Sequence, residues 1–190
     1  LDPHFLEKFN KVKIKDSTRF DLPNRLKGYF PGFGGKFTSE AGAAIQYEFD
    51  LKTRSLYDLD ITSALKNDIQ DAKEKREDIE QGDLIIRDLG YFSSKVIITI
   101  IDKKAFFLSR MRTIMDVFDE NHQEVSFRKM YDHMVKYNKT RHHMKVAIGN
   151  KERIPARLLV EMAPEATYQE RIRKREYESR KKGWKVTEEF

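Results

Sequence analysis

Residues 83–87, Asp-Leu-Ile-Ile-Arg, form a short run that is apolar at its centre and stands between Gly82 and Gly90. An apolar run of this length without alternation suits a strand covered on both faces. Such a strand belongs inside a sheet with helices packed against it, which makes the rest of the chain a search for its neighbours. Residues 11–20 alternate early, with Val12 and Ile14 on one face and lysines on the other. They predict a strand ending at Asp16-Ser17-Thr18. Residues 23–43 carry Pro23, Gly28, Pro31, Gly32, Gly34, Gly35 and Gly42 and read as an irregular loop. Residues 45–52 and 55–62 predict a hairpin turning at Thr53-Arg54. Residues 64–81 are polar and helix-prone. Ser93 is placed to cap a helix from about Lys95, against the β-branched content of residues 96–101, and residues 105–110 predict a further strand. The order is β-β-β-α-β-α-β, a mixed α/β arrangement.

The remainder differs in character. Phe127, Met130, Tyr131, Met134 and Val135 recur at helical spacing behind a candidate N-cap, Ser126, and read as core packing. Residues 142–162 alternate again, with Met144, Val146 and Ile148 before, and Ile154, Ala156, Leu158 and Val160 after, the polar stretch Gly149-Asn150-Lys151-Glu152-Arg153. This predicts a hairpin with a basic tip. Pro164 ends it, and residues 165–182 predict a highly charged helix. Charge is uneven. Residues 1–110 carry 19 Lys and Arg against 18 Asp and Glu, residues 111–190 carry 18 against 13, and the whole chain is +6. A basic second half suggests a polyanionic partner, most simply nucleic acid. Arg141, Lys145, Lys151 and Arg153 are the candidate phosphate contacts. With no cysteine, thiolate metal sites and disulfides are excluded and an intracellular setting fits. No run of 18 apolar residues marks a membrane span. No signal peptide is recognisable, and the first residue is Leu1, which fits a piece of something longer.

Two acids stand out. Asp16 and Asp88 each close a predicted strand. If those strands are neighbours, the carboxylates meet, repel, and are reconciled by a divalent cation. Mg²⁺ accepts oxygen ligands and often only one or two carboxylates. The alternative is that each Asp bonds nearby backbone amides in an ordinary turn. On the metal reading, Asp88 ends a buried strand and its burial is compensated only by the bound ion. His133, His142 and His143 make a weaker metal candidate, because spacing does not put His133 on a face shared with the other two. The glycines of Pro31-Gly32-Phe33-Gly34-Gly35 lack the pattern of a phosphate-binding loop, and a flexible loop is the better reading.

Taken together, KDSTRFDLP around Asp16, the loop FPGFGGKFTSEAGAAIQYEFDLKT, GDLIIRDLGYFS around Asp88, and IPARLLVEMAP followed by a basic helix resemble the catalytic core of DDE transposases of bacterial insertion sequences. The resemblance implies a ribonuclease-H-like mixed sheet flanked by helices, with a β-rich insertion. It implies a core over residues 1–111, the insertion over 112–163, and a basic helix over 164–190 leading towards a final helix. It also implies that Asp16 and Asp88 are the first two acids of a metal-binding triad using Mg²⁺ or Mn²⁺. The implied reaction is hydrolysis of a DNA strand at the element's end, then attack of the freed 3′-hydroxyl on target DNA. A bacterial, nucleoid-associated cytoplasmic protein that pairs ends as a homodimer would follow. The family's third acid lies in a Tyr-x2-Arg-x3-Glu-x6-Lys pattern. Tyr168, Arg171 and Lys182 match that spacing, but Arg175 stands at the Glu position. The expectation is therefore that the true motif lies beyond Phe190, and that an N-terminal DNA-binding part is also absent. Two alternatives follow: a catalytically incomplete remnant that only binds DNA, or a ribonuclease-H-like nuclease of another family.

Overall fold

The structure, a computed structural model, describes residues 3–35, 38–111 and 115–183. The chain divides into two units, Leu1–Arg112 and Thr113–Phe190. The expected boundary at residue 112 and Trp184 lie outside the described residues.

In the first unit, helix α1 (Pro3–Glu7) leads into strand β1 (Val12–Leu22), and a long loop returns the chain as β2 (Ala41–Asp50) and β3 (Ser55–Ser63). Helix α2 (Asp68–Glu74) and a 3-10 turn (Lys75–Asp78) precede β4 (Leu84–Arg87). A second 3-10 turn (Leu89–Tyr91), α3 (Ser94–Asp102) and β5 (Phe106–Ser109) follow. The five strands form one sheet in the order β3-β2-β1-β4-β5. The first three are antiparallel, and β4 and β5 run parallel to β1 and to each other. This is the mixed sheet flanked by helices that the sequence predicts, and it is consistent with a ribonuclease-H-like fold.

Three local expectations change. Strand β1 does not stop at Asp16: its antiparallel pairing with β2 continues to Leu22↔Ala41. The ladder with β2 carries the chain on in extended form, and the Ser17 amide, which points away from β2, is met by Asp16 Oδ1, so Ser17 and Thr18 have no reason to turn. The helix expected over 64–81 is shorter, because Asn67 caps it by accepting the Gln70 amide at 2.8 Å and it tightens to a 3-10 turn after Glu74. Residues 94–102 are helical despite their β-branched content, because Val96, Ile97 and Ile100 fall on one buried stripe. Packing outweighs propensity there.

Alternation along the strands gives the sheet two unlike faces. One carries Ile85, which packs with Ala72, Ile79, Tyr91, Val96, Ile100 and Ala105 beneath α2 and α3. Lys13 and Lys15 share that face and are fully buried. On the opposite face Ile14 and Ile86 are half-buried, and Leu59, Ile61, Phe106 and Leu108 remain exposed. Phe9, just after α1, meets Phe106 edge-on there, with ring centroids 5.4 Å apart.

The second unit holds β6 (Val117–Phe118), α4 (Phe127–Lys136), β7 (Arg141–Ile148), β8 (Ile154–Glu161) and α5 (Glu165–Lys182). Strands β6, β7 and β8 form an antiparallel sheet in that order, so the β-rich character of this region holds. Ser126 caps α4 as expected, accepting the Lys129 amide at 3.3 Å. Of the apolar stripe on α4, Met134 is buried, whereas Tyr131 and Val135 are exposed. No described helix is long and apolar enough to cross a membrane.

Candidate active site

Strands β1 and β4 are neighbours, paired in parallel from Val12↔Leu84 to Lys15↔Arg87. The next residue on β1 is Asp16, and the next after β4 is Asp88. Alternation turns both carboxylates to the same face, away from α2. With Ile14, Lys15, Ile86 and Arg87 they line an open cleft of about 310 Å³. Asp16 is in mid-strand rather than at a strand end, and it reaches an edge because β4 stops beside it.

Neither acid is buried. Asp16 is exposed, and its Oδ1 accepts the Ser17 amide at 2.8 Å. The Asp88 side chain is 52% exposed, and its Oδ1 accepts from Arg110 Nε at 2.8 Å and from the second guanidinium nitrogen at 2.5 Å. The expectation of a buried Asp88 whose charge needs an ion is therefore corrected. Water and Arg110, at the end of β5, already compensate it. That hydrogen bond, with help from the Leu89 amide, holds the Asp88 carboxyl below the usual carboxylate range. Two carboxylates in a solvent-open cleft fit a hard divalent cation, which takes one or two such ligands and keeps its waters. Among the described residues, no group of three or more His, Cys, Asp or Glu is placed to hold an ion.

The two acid-bearing strands are tied together from the opposite face. Lys15 and Arg87, one residue before each acid, both reach Glu48 on β2, at 3.8 and 3.2 Å. Lys15 lies 2.5 Å from Asp71 and 3.6 Å from Asp58; Lys66 approaches Asp71 at 3.3 Å, and Lys75 approaches Asp58 at 3.1 Å. Lys13 pairs with Asp83 at 3.3 Å. The lysines that a pattern reading sets opposite Val12 and Ile14 thus face carboxylates under α2, not solvent.

Beyond the acids, Asp68 in the first turn of α2 accepts from Ser17 Oγ at 2.9 Å, Arg19 at 2.8 Å and Gln46 Nε2 at 3.3 Å, all on Oδ1. Tyr91 donates its hydroxyl to Gln46 Oε1 at 2.6 Å, and burial pushes its phenol up. A Cβ at position 90 would stand 2.6 Å from Asp68 Oδ2. The Gly and Tyr of Asp88-Leu89-Gly90-Tyr91 thus have physical reasons: room for Asp68 and a bond to Gln46. Asp68, Glu48 and Arg110 escape a reading of the sequence. The only local signal is the Asn67-Asp68 helix start, which marks a cap and says nothing of Ser17 or Gly90.

The basic candidates on the hairpin differ in their surroundings. Lys151 is exposed in the turn. Arg141 pairs with Glu161 at 2.8 Å, and Lys145 approaches Glu120 at 3.6 Å, both exposed. Arg153 is half-buried with its guanidinium 3.3 Å above the centre of the Phe118 ring. His133 on α4 and His142 on β7, which spacing separates, come together with ring centroids 6.2 Å apart. In the glycine loop the Gly32 and Gly34 amides are spent on Glu40 and Ser39 carbonyls, as a loop reading expects.

Residues 7–179 match the transposase DDE domain family. The transposase for insertion sequence element IS231B of Bacillus thuringiensis subsp. berliner is 29% identical over 193 residues, covering 94% of this chain and 40% of that protein. The IS231F transposase of Bacillus thuringiensis subsp. israelensis is 27% identical over 189 residues, covering 92% and 39%. The IS1151 transposase of Clostridium perfringens is 32% identical over 113 residues, covering 60% and 24%. The chain spans about two fifths of the length of the IS231 relatives it matches. Transposases act on DNA ends, and the family generally uses a divalent metal. On its match across most of its length, this chain belongs to the transposase DDE domain family.

Proposed function

We propose that this chain is the catalytic core of a transposase. In the intact protein it would cleave a DNA strand at the element's end and join the freed 3′-hydroxyl to target DNA. The supporting observation is the placement of Asp16 and Asp88 one residue past the last paired position of two adjacent parallel strands, lining one cleft. Both carboxylates would hold Mg²⁺ or Mn²⁺. When bound, the metal supplies activation of a water and stabilisation of charge on the departing oxygen. The side chains themselves hold and orient. Asp88 is kept ionised by Arg110, and the Glu48 clamp beneath fixes the two strand ends against each other. No covalent nucleophile from the protein is required.

In this reading residues 1–111 form the ribonuclease-H-like core, 112–163 the insertion and 164–190 a basic helix leading on. Arg141, Lys145 and Lys151 contact phosphates of the transposon ends or target. Arg153 shapes the hairpin tip as well as adding charge. A homodimer across paired ends and a nucleoid-associated cytoplasmic location complete the proposal. In the intact protein, Asp88→Ala should abolish Mg²⁺-dependent end cleavage and leave DNA binding in place. Retained cleavage would defeat the assignment. A second reading rests on the missing Glu, since the one partial match to the third-acid pattern, Tyr168, Arg171 and Lys182, has Arg175 in its place: the chain binds DNA without cutting it. Metal-dependent nicking by these 190 residues alone would exclude that reading.

A further inference from the structure

The two acid-bearing segments are joined beyond the strand ends by one side chain. Asp68 Oδ1 accepts from Ser17 Oγ at 2.9 Å, and Ser17 directly follows Asp16. The same oxygen accepts from Gln46 Nε2, and Gln46 is the register partner of Ser17 on β2 and the acceptor for Tyr91. Asp68 Oδ2 fills the space over Gly90, two residues after Asp88, where a Cβ would lie at 2.6 Å. Only 18% of the Asp68 side chain is exposed, so these bonds compete little with water. The β1–β4 ladder holds the strands up to Lys15↔Arg87 and ends there. The acids come immediately after it, where no backbone pairing between the two strands fixes them.

We propose that Asp68 is a positioning residue that sets the separation of Asp16 and Asp88, and so the divalent-metal affinity of the pair. The proposal rests on the reading of those acids as metal ligands. Asp68 carries no ligand role itself. It acts through Ser17 on one side and Gly90 on the other, so removing it loosens the link between the two acid-bearing segments while the β1–β2 ladder and the Tyr91–Gln46 bond remain. Outer residues that orient metal-binding carboxylates commonly change affinity 10- to 100-fold.

The test is Mn²⁺ binding to the intact protein, read by electron paramagnetic resonance. The relevant signal is the part abolished by Asp16→Asn with Asp88→Asn. Asp68→Ala should weaken that binding about tenfold, at the lower end of this range because the link is indirect. Asp68→Asn keeps the acceptor and the shape while removing the charge, and should restore most of the affinity. Gly90→Ala presses on the same carboxylate from the other side and should also weaken binding. In the background of Asp68→Ala it should add almost nothing, since the clash is gone. Equal losses for Ala and Asn would mean that Asp68 acts through charge alone, and would overturn the proposal. So would unchanged affinity in Asp68→Ala and Gly90→Ala while the Asp16 and Asp88 signal persists. If wild type shows no Mn²⁺ signal that depends on Asp16 and Asp88, the metal assignment itself fails, and the role of Asp68 falls with it.

Discussion

Replacing Lys15 with Met removes a cation shared by three carboxylates beneath the candidate site. The Lys15 and Asp71 side chains are both 0% exposed and stand 2.5 Å apart, with Glu48 at 3.8 Å and Asp58 at 3.6 Å. Breaking a buried pair by removing one partner costs about 3–5 kcal/mol, because the remaining charge is stranded. Here each carboxylate keeps a second cation: Lys66 for Asp71, Arg87 for Glu48 and Lys75 for Asp58. The lower end, about 3 kcal/mol, is therefore expected. At about 1.4 kcal/mol per factor of ten, that is about a hundredfold faster exchange of the most protected β1 and β4 amides. Native-state hydrogen exchange reads it directly and isolates this unit from the other. Adding Asp71→Asn to Lys15→Met removes the stranded charge and should recover part of the loss. A Lys15→Met change below about 1 kcal/mol, the range of exposed pairs, would refute the claim that this network is desolvated. A double variant no better than the single would refute the claim that charge, rather than shape, carries the cost.

Other outcomes follow from the same contacts. Arg110→Ala should raise the Asp88 pKa back towards the ordinary carboxylate range, as followed by carboxyl-carbon NMR. Since the folded pKa is depressed, the small stability that this pair adds is present above the unfolded carboxylate value. It is lost as pH falls through the lower, folded one. The same substitution removes a competing cation and should tighten Mn²⁺ binding at Asp88, and weaker binding would contradict that. Gly32→Ala puts a Cβ 2.8 Å from backbone atoms of Ala41 and Gly42, and should lower the melting temperature by the equivalent of about 1–3 kcal/mol. Gly28→Ala, with nothing within 4 Å, should leave melting almost unchanged. Arg153→Ala should destabilise the second unit by about 1 kcal/mol through the lost contact with Phe118. Lys151→Ala should leave folding alone and reduce the salt slope of DNA binding by about one, as measured by fluorescence anisotropy.

Much of the fold is legible in local pattern, for reasons that are themselves local. Alternation in residues 142–160 and the polar stretch at 149–153 yield the hairpin β7–β8, and the charged run after Pro164 yields α5 with the expected bounds. Asp16 and Asp88 stand out because a carboxylate beside an apolar strand needs an explanation. What tertiary structure alone decides is partnership. That β4 lies beside β1 and ends at Lys15↔Arg87 is a fact of sheet order, to which neither strand's own residues are committed. Whether lysines opposite Val12 and Ile14 face water or acids depends on α2, whose Asp71 lies 56 positions from Lys15 in the chain. Arg110 beside Asp88, Asp68 over Gly90 and His133 beside His142 likewise bring together residues from separate elements. Periodicity records which face of an element a residue occupies. It carries no information about what the fold sets against that face, and the electrostatics of the two acids come from those long-range neighbours.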